Sequence, residues 1–598
     1  MINVTKKYIE ACESNNRTSY IVAKYGLFNK NAKNEITMVV STNQPFSIPS
    51  QTYDELKELE ISYISCEPNR VKLNDKFIFI QDKSKTNINQ NLGIWSKAMS
   101  DVNGLFLTPF EIEYQFSDQI AFTDLTLYFQ DIVKDMNIKY YVDNSLIYTR
   151  EIRNNDKLSF ETTNSSSTMA TQYFNRLVLS FLSTKEPYRY IKLSEIDFGV
   201  YMTFKREEIE DIEIIDELNI DTTLLSANSC TITIKDNKGE YDIINPYNKL
   251  KLLQEKQEIN VFHYLKVGDT FKEVPLGTFL VKNLDYKNKK LIIESYDDRY
   301  FMNKTYYGSK FYINEPFKNV LKDLFDYFNY TSDRYLIDGE LENKTINGYI
   351  PIVNFGEALR LICESVGAVI TKNRFGITKI IKNFGSAIKI FKNREYEKSS
   401  PTKQLYNNVI DIYEYSYKEE TENRVLFEGT LSQGNHEIVF DKSPIIYNMY
   451  KDDYNLLKSD INNNNYNIVK LYASGCLIEV TSTSADVNLS GKCYMISKTI
   501  KRIYKNGVQN TNVDEYAISK VDNALIGSER TEEIANWKLN KNEFKYSFTC
   551  NLMPYIEVGD TCKLQIPYKT INGHSISKTF VPTKLVINMG IKQDIEGE

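Results

Sequence analysis

Histidine and tryptophan are scarce in this chain, and the motifs of common catalytic sites are missing from it. Of 598 residues, three are His and two are Trp. His263, His436 and His574 lie far apart, and the sequence has no HExxH, Cys/His zinc spacing, P-loop or GxSxG motif. A Ser-His-Asp triad or a carboxylate pair assembled only by folding stays open as an alternative. Since no motif supports catalysis, we predict no enzyme, no catalytic residue, no metal site and no cofactor.

The sequence also lacks paired cysteine spacings and long apolar runs. Its eight cysteines are scattered, without a CxxC pair, and several lie in apolar strand patterns. We therefore expect buried free thiols in a protein that folds in a reducing cytoplasm. No apolar run approaches the roughly 18 residues of a membrane-spanning helix, and the first residues do not resemble a secretory signal. If the protein leaves the cell, we expect another route, such as lysis together with a particle.

The charge balance is slightly acidic. Lys and Arg total 73 and Asp and Glu total 79, which gives a net charge of −6. This balance disfavours a surface built throughout to bind DNA, although a local basic channel stays compatible with it. Tyrosine (43) and phenylalanine (31) are abundant, and aromatic residues pack well in β-structure. A chain of this length exceeds one hydrophobic core, so we expect several domains.

The clearest pattern lies between Ser226 and Tyr300. Residues 230–234 alternate apolar and polar side chains, which predicts a strand with one buried face. Asp236-Asn237-Lys238-Gly239 then predicts a turn, because Asn tolerates and Gly favours positive φ. Further short β-rich runs follow at 259–264, 277–281 and 290–295. Several short strands with polar turns between them predict a small antiparallel barrel or sandwich.

The order of motifs in this stretch resembles the tail hub (baseplate hub) proteins of phages, or of phage-tail-like particles, of Gram-positive bacteria. The resemblance covers a D-N-x-G-x-Y-D turn, N-P, K-L-L-Q-x-x-Q-x-I, V-P-L-G-T-F and a final Y-D. It is carried by Asp236, Asn237, Gly239, Tyr241, Asp242, Asn245, Pro246, Leu252, Leu253, Gln254, Gln257, Ile259, Val274, Pro275, Leu276, Gly277, Thr278, Phe279, Tyr296 and Asp297. None is a catalytic residue type beside a catalytic partner. We expect structural roles for Asp236, Gly239, Asn245, Pro246, Gln254, Pro275 and Gly277.

The region before this stretch is also rich in predicted strands. Its order resembles the discoidin-like (galactose-binding-like) jelly-roll domains that precede the hub region in related phage tail proteins. The matching residues are Tyr63, Ser65, Glu67, Arg70, Leu73, Trp95, Ser96, Ser100, Asp101, Gly104, Phe116, Arg189, Leu193, Ser194, Glu195 and Asp197. Such folds bind sugars or partner proteins through loops at one end, and the fold does not determine which.

The remaining patterns complete a prediction of six regions. Apolar residues between Phe317 and Phe328 have helical spacing, residues 355–366 predict a second helix capped by Gly367, and a helix is also expected at 514–540. The fold class is multidomain and mainly β with an α+β insert: a jelly roll, then a hub region of two β-barrels with intervening domains. The predicted boundaries are 1–60 (N-terminal segment), 60–203 (jelly roll), 204–305 (first hub barrel), 306–400 (α+β insert), 401–500 (β-rich domain) and 501–598 (helix plus second hub barrel).

The resemblance implies a structural function in a phage tail. We expect a homotrimeric ring that adapts the six-fold tail tube to a three-fold tip and surrounds the DNA ejection channel, since two barrels on each of three subunits present six near-equal faces. The implied partners are the tail tube or distal tail protein, the tape measure protein, and spike, tip or other baseplate proteins. DNA would pass a polar or negative channel wall without specific binding. The protein would be located in the virion tail after assembly in the host cytoplasm.

A receptor-binding tail protein, or adhesin, is the alternative function. In that case the jelly roll would recognise a host surface glycan, with Trp95, Tyr63 and Tyr114 stacking on sugar rings. For Trp95, the competing interpretation is a core tryptophan beneath the loops. A tail-associated hydrolase is a third alternative.

Overall fold

Strands make up most of the described chain, in agreement with the alternating sequence patterns. The structure is a computed structural model. It describes residues 2, 4–14, 16–28, 36–41, 62–69, 77–79, 93–121, 125–161, 173–220, 222, 224–242, 244–245, 256–392, 395–403, 409–441, 444–445, 465–505, 518–540, 544–569, 575–589 and 592–598.

The chain divides into two compact units. The first, which we call the sandwich unit, contains residues 24–204 and 236–257. The second, the long-sheet unit, contains residues 1–23, 205–235 and 258–598. Strand β1 (Ser19–Phe28) has residues in both units. The six domain boundaries drawn from the sequence stay predictions.

Two antiparallel sheets of the sandwich unit enclose one core. A five-stranded sheet has the order β2-β6-β11-β8-β9, a four-stranded sheet has the order β10-β7-β12-β5, and β3 and β4 form a small parallel pair. The strands are β2 (Ile36–Ser41), β3 (Ser62–Ile64), β4 (Phe77–Phe79), β5 (Ile94–Trp95), β6 (Leu105–Ala121), β7 (Thr126–Phe129), β8 (Val133–Val142), β9 (Ser145–Ile152), β10 (Ser159–Glu161), β11 (Tyr173–Thr184), β12 (Lys192–Asp197) and β13 (Gly199–Phe204).

The core of the sandwich unit follows from the two-residue period of its strands. Leu177 on β11 lies opposite Tyr114 on β6 and Tyr140 on β8, and all three are fully buried. Leu179, two residues along, is buried on the same face. Buried residues of the four-stranded sheet complete this core, among them Ile94, Leu127, Leu193 and Ile196.

The long-sheet unit contains the remaining elements. In chain order they are α1 (Lys6–Glu13), β14 (Ile209–Glu217), β15 (Ser229–Lys235), β16 (Glu258–Val267), β17 (Thr270–Lys287), β18 (Lys290–Tyr296), β19 (Thr305–Tyr306), β20 (Phe311–Pro316), α2 (Phe317–Tyr327), β21 (Tyr335–Ile337), α3 (Gly339–Glu342), β22 (Thr345–Tyr349), β23 (Val353–Asn354), α4 (Phe355–Glu364), β24 (Val369–Lys372), β25 (Thr378–Ile381), β26 (Lys389–Phe391), β27 (Tyr396–Lys403), β28 (Val409–Val439), β29 (Tyr466–Leu471), β30 (Gly475–Tyr504), β31 (Ser519–Val521), α5 (Thr531–Leu539), β32 (Phe544–Asn551), β33 (Cys562–Lys569), β34 (Ser575–Phe580), β35 (Pro582–Asn588) and β36 (Lys592–Gly597). Short 3-10 helices lie at Asp298–Phe301 and Ser332–Arg334.

Nine strands of this unit form one continuous hydrogen-bonded run, which we call the long sheet. Its order is β16-β17-β18-β15-β14-β35-β36-β32-β27. Strands β14–β18 come from the first predicted barrel region, and β32, β35 and β36 come from the second. The two groups meet where β14 pairs with β35, and Ile214 lies opposite Ile587. The mainly β fold with an α+β insert is confirmed, and the two predicted barrel regions share a single sheet.

The α+β insert packs two amphipathic helices together. Helix α2 buries Phe317, Val320, Leu321, Leu324 and Phe325 on one face, at the spacing of its sequence pattern. Helix α4 begins at Asn354, whose side chain accepts a hydrogen bond from the backbone N of Glu357, and it is followed by Gly367 at φ +67°. These helices lie where the sequence predicts them.

The helix predicted at 514–540 is shorter than expected. Within this range the structure describes residues 518–540, and only Thr531–Leu539 form a helix (α5). Residues 519–521 instead form strand β31, which pairs in parallel with β28. That pairing satisfies the backbone of this segment, and Val521 joins a buried cluster with Ile410 and Ile412.

The two longest strands form an extended antiparallel ladder. Strand β28 has 31 residues and pairs with the 30-residue β30 from Val409–Tyr504 at one end to Val439–Gly475 at the other. At the distal end, β29 joins the ladder and a separate core forms around Leu426, Ile438, Ile478 and Leu489. The ladder therefore connects two hydrophobic clusters of the long-sheet unit.

The N-terminal helix packs against residues from the C-terminal part of the chain. Helix α1 is capped by Thr5 and buries Tyr8 and Cys12 in a cluster that includes Tyr555. The backbone N of Ile2 donates to the carbonyl of Tyr555 at 3.2 Å. The Arg17 guanidinium donates to the carbonyl of Leu552 at 3.0 Å. Residues separated by more than 500 positions thus share one core.

Candidate functional site

The predicted turn at 236–245 is held by a buried carboxylate. Asp236, 3% exposed, accepts hydrogen bonds from the backbone N of Glu240 and of Tyr241, both at 2.8 Å. Gly239 has φ +68°, a conformation in which glycine carries no steric penalty. The Asn245 amide donates to the carbonyl of Gly239 at 2.8 Å. These contacts hold the turn together, and the structural roles expected of Asp236, Gly239 and Asn245 stay a prediction.

The other motif residues lie on β17 or outside the described residues. Pro275 faces Phe262 where the β16–β17 register shifts, a position at which a strand tolerates proline. Gly277 lies opposite Val261, and a Cβ at this position would come within 2.4 Å of the Phe279 ring. Pro246 and Gln254 lie outside the described residues.

Replacing the buried turn carboxylate should destabilise the sandwich unit. We expect Asp236→Ala to lower its free energy of unfolding by about 1–3 kcal/mol, because the buried backbone N–H of Tyr241 and the partly buried one of Glu240 lose their acceptor. Urea denaturation followed by circular dichroism measures this change. Lys238→Ala, in the exposed part of the same turn, is the matched control and should change stability by less than about 0.5 kcal/mol. Equal effects of the two substitutions would contradict the role given to Asp236.

A buried ion pair fixes the end of β18 to the segment before β15. The Arg299 guanidinium donates to Asp297 Oδ2 at 2.6 Å and to Asn228 Oδ1 at 3.0 Å. Asp297 Oδ2 also accepts from the backbone N of Asn228 at 2.8 Å. All three residues are buried. The Tyr-Asp pair that ends the hub-like motif therefore has a structural role, because Asp297 orients both the arginine and the neighbouring backbone.

Arg374 connects three segments that are far apart in sequence. Its guanidinium lies 3.4 Å from Asp216 on β14 and also donates to the carbonyl of Pro554. Its backbone N donates to the Glu557 carboxylate at 2.9 Å. Arg374 is 3% exposed. The turn between β24 and β25 is thus attached both to the long sheet and to the loop before β33.

The acidic partner of Arg374 has a strongly shifted ionisation. Burial raises the pKa of Asp216 to about 6, against the opposing effect of the Arg374 guanidinium. The pKa of Glu557 is lowered instead. Burial favours its neutral form, but neighbouring positive groups and the Arg374 backbone N–H together outweigh that effect. The site therefore holds one carboxylate that titrates in mildly acidic solution beside one that stays ionised.

Acidification should stabilise the wild type relative to Asp216→Asn. The folded-state pKa of about 6 exceeds the ordinary value of 3.8, so between these values the folded protein binds the proton more tightly than the unfolded chain. Stability from this group rises as pH falls through about 6. Between about pH 7 and pH 4.5, the wild type should gain about 2 kcal/mol over the variant. Urea denaturation across this pH range measures the difference, and a pH-independent difference would contradict the assignment.

The face of the long sheet opposite its core carries cross-strand ion pairs. Lys584 on β35 lies 2.8 Å from Glu217 on β14. Lys545 on β32 lies 2.7 Å from Glu596 on β36. Further pairs on this face or its rim are Lys592–Glu397 at 3.0 Å, Lys290–Glu210 at 2.8 Å and Lys282–Glu294 at 3.9 Å. Threonines and serines alternate with these charges, for example Thr231, Thr233, Ser547 and Thr549. We call this surface the polar face.

Two of the three proposed glycan-stacking residues are buried. Tyr114 is fully buried between strands of the sandwich core, and Trp95 is 1% exposed. The Lys192 ammonium lies 4.8 Å from the centre of the Trp95 ring, and the Tyr190 ring stacks on the same tryptophan. This placement agrees with the core interpretation of Trp95. The backbone of Tyr63 lies on β3.

Beneath Trp95, a buried lysine bridges two carboxylates. Lys192 donates to Glu67 and, at 2.8 Å, to Asp131. The side chains of Lys192 and Glu67 are 1% and 0% exposed. Burial alone would raise the pKa of Glu67, but the charge of Lys192 and its hydrogen bonds leave that pKa lowered. Glu67 belongs to the residues that match the jelly-roll pattern, whereas nothing in the sequence distinguishes Lys192 from a surface lysine.

The described histidines do not form a catalytic arrangement with each other. His263 is fully buried, and the Tyr8 hydroxyl lies 3.3 Å from its Nδ1. Burial lowers the pKa of His263 to about 3. His436 is on β28, where its Nε2 lies 2.7 Å from the Ser432 carbonyl. Among the described residues, no cluster of three or more His, Cys, Asp or Glu side chains is arranged to hold a metal ion. His574 lies outside them.

Comparison with known proteins gives structural similarities only. No family model matches the sequence, and no curated protein matches it. The chain is similar to a tail protein from Neisseria meningitidis, with 10% identity over 66% of this chain and 93% of that one and a TM-score of 0.36. It is also similar to the 43 kDa tail protein of a Shewanella oneidensis prophage (9% identity, 66% and 94% coverage, TM-score 0.35). A prophage tail protein from Listeria monocytogenes gives 10% identity, 66% and 91% coverage and a TM-score of 0.29.

These similarities leave the function to be inferred from the residues of this chain. In the part of the chain that the structure describes, no helix combines the length and the apolar character needed to cross a membrane.

Proposed function

We propose that this chain is a structural component of a phage tail or phage-tail-like particle, with the role of a tail or baseplate hub. The observation that carries the proposal is the junction of β14 with β35, which joins strands of two distant sequence regions into the long sheet. One subunit thereby presents two strand groups side by side. Three subunits would present six such groups, as an adaptor between a six-fold tube and a three-fold tip requires.

The edge of the long sheet supplies a means of assembly. Strand β27 is the last strand of the order and pairs with β32 on one side. It contains Pro401, a residue that strands accept at edges. An edge strand offers backbone hydrogen-bonding groups to a neighbouring chain. In the proposed trimer, this edge would pair with a neighbouring subunit. The further partners would be the tail tube or distal tail protein, the tape measure protein and the tip proteins.

A non-enzymatic role accords with the polar clusters that the structure describes. Asp216, Arg374 and Glu557 are buried and engage one another or backbone groups, and the same holds for Asn228, Asp297 and Arg299. Such contacts stabilise domain packing. The receptor-binding alternative draws no support from Trp95 and Tyr114, because both rings are buried.

Solution mass and imaging test the proposed trimer. We expect the purified full chain to have three times its 69.6 kDa mass by light scattering. Negative-stain class averages should show a ring with a central hole, three-fold in detail and pseudo-six-fold in outline. A monomer at all concentrations, or a compact particle without a hole, would overturn the proposal.

A second measurement separates a particle component from an unrelated oligomer. Antibody raised against the chain should label one end of the tail in particles released from the producing cells. Labelling along the whole tail, or of material outside particles only, would contradict a location in the hub.

A further inference from the structure

We propose that the side chains of Lys192 and Asp131 join in an intramolecular amide bond within the sandwich unit, with Glu67 as the group that carries the protons. The bond forms once, in the folded chain, between Lys192 Nζ and Asp131 Cγ. It is a self-modification of the chain and not the turnover of a substrate. The inference goes beyond the proposed tail function and does not depend on it.

The reacting groups are already in contact. Lys192 Nζ lies 2.8 Å from Asp131 Oδ2 and also donates to the Glu67 carboxylate. Backbone pairing keeps the two reactants together, because the backbone N of Gln130 donates to the Lys192 carbonyl at 3.0 Å. Groups held in this way react with an effective molarity of about 10⁵–10⁸ M. That value far exceeds the molarity of water, which otherwise favours the separate amine and acid.

The surroundings of the cluster exclude bulk water. The Lys192 and Glu67 side chains are 1% and 0% exposed. Lys192 pairs with Trp95 across β5 and β12, and the Tyr190 ring stacks on that tryptophan. Asp131 is more accessible, with a side chain that is 13% exposed. The site therefore protects an amide from hydrolysis, while the water released by its formation can leave beside Asp131.

The two carboxylates have different roles because their hydrogen bonds differ. Glu67 Oε1 accepts from the backbone N of Tyr190 at 3.0 Å, and Oε2 accepts from the Ser65 hydroxyl as well as from Lys192. Burial opposes the ionisation of Glu67, but the charge of Lys192 and these hydrogen bonds leave its pKa lowered. The ion pair is therefore the form in which the unit first folds, and proton transfer to Glu67 limits the rate.

The reaction needs no further reagent. One proton of the Lys192 ammonium passes to Glu67, and the Nζ lone pair then forms the N–C bond with Asp131 Cγ. One C–O bond of Asp131 breaks, and its electron pair leaves with the oxygen. Two of the three ammonium protons reach this oxygen through Glu67, so that it departs as water, and the third stays on the amide nitrogen. Glu67 ends ionised, as it began.

The bond would give the unit a covalent closure that thiols cannot break. It would link residues 61 positions apart and, like a disulfide, restrict the unfolded chain. The eight cysteines of the chain are free, and disulfides do not persist in a reducing cytoplasm. An amide formed there would remain intact after the protein leaves the cell.

Tryptic peptide mapping tests the bond in the full chain, denatured after several days in the folded state. Trypsin cuts after unmodified lysine, so an amide on Lys192 blocks cleavage at this position. Residues 98–134 and 190–205 should appear as one branched peptide, lighter by one water molecule than the sum of the two. Complete cleavage between Lys192 and Leu193 would overturn the proposal, as would a branch to the peptide that contains Glu67.

Two substitutions test the assigned roles. Asp131→Ala should abolish the branched peptide, and Glu67→Gln, which keeps side-chain size, should slow its formation by about a hundredfold or more. Glu111→Gln breaks the partly exposed pair with Lys139 in the same unit and is the matched control, with bond formation at the wild-type rate. Circular dichroism shows whether each variant folds. A folded Glu67→Gln variant that forms the bond as fast as the control would overturn the role of Glu67. If a variant does not fold, the wild-type peptide map alone decides whether the bond exists.

Discussion

Arg374→Met should lower the stability of the long-sheet unit by about 3–5 kcal/mol at neutral pH, one of the two largest losses that we expect from a single substitution. The guanidinium is buried, contacts Asp216 and satisfies the carbonyl of Pro554. Methionine fills a similar volume but supplies neither charge nor donor. Asp216 would stay buried without its cation. A buried unpaired charge destabilises a fold by more than the intact ion pair stabilises it.

Hydrogen–deuterium exchange localises this effect. Peptides from 209–217 and 552–560 should lose about a hundredfold or more of their protection in Arg374→Met, since each 1.4 kcal/mol corresponds to about tenfold. The matched control is Arg334→Met, which removes a half-exposed arginine paired with Asp298 and should cost less than about 1 kcal/mol.

The buried acid explains a second expected property of this variant. Because burial already raises the pKa of Asp216 to about 6, removing Arg374 should raise it further, and acidification should then relieve part of the loss. The double variant Arg374→Met/Asp216→Asn should be more stable at pH 7 than Arg374→Met alone. Equal stability of the two variants at pH 7 would show that the unpaired Asp216 charge does not cause the stability loss in Arg374→Met.

Lys192→Met should destabilise the sandwich unit by a similar amount, about 3–5 kcal/mol. Lys192 is 1% exposed and compensates both Glu67 and Asp131. The Glu67 carboxylate also accepts from the Tyr190 backbone N at 3.0 Å, so it cannot turn towards solvent without breaking that bond. Removing the ammonium leaves two carboxylates close together, one of them fully buried.

The two tryptophans allow this loss to be assigned to one unit. Trp95 lies in the sandwich unit and Trp537 in the long-sheet unit. In a Trp537→Phe background, fluorescence during urea denaturation follows Trp95 alone, 4.8 Å from the Lys192 ammonium. Lys185→Met removes an exposed lysine and is the control. A Lys192→Met midpoint within error of that control would show that the buried pair contributes nothing to stability.

Acidification should remove the stability that Glu67 contributes, whereas it should increase the contribution of Asp216. The folded-state pKa of Glu67 is lowered, so its contribution to stability is present above its ordinary pKa and is lost as pH falls through the folded value.

Replacing Glu67 by Gln together with Lys192→Met should recover part of the stability at pH 7, since the buried charge is then removed from both partners.

Local patterns in the sequence predict local structure well. The alternation at 230–234 gives β15, the helical spacing after Phe317 gives α2, and Gly367 follows α4 with positive φ. Each of these features depends on residues that are close together in the sequence. The turn at Asp236 belongs to the same class, because its hydrogen bonds span five residues or fewer.

Contacts between distant residues were not predictable in the same way. Ile214 meets Ile587 across more than 370 positions, and both look like ordinary strand residues. Arginine and lysine are usually surface residues, and only tertiary packing buries Arg374 and Lys192. Trp95 was compatible with either a sugar platform or a core, because the sequence does not show which loops cover it.

The contact between helix α1 and residues 552–555 also constrains the timing of folding. The ribosome produces Tyr8 and Cys12 some 540 residues before Tyr555, with which they share a core. At about 5–20 residues per second, this interval is roughly half a minute to two minutes. During that time the first helix lacks its final neighbours at 552–555, whereas all residues of the sandwich unit (24–204 and 236–257) have already been synthesised. Synthesis of residues 552–555, rather than synthesis of the helix itself, therefore sets when this core can close.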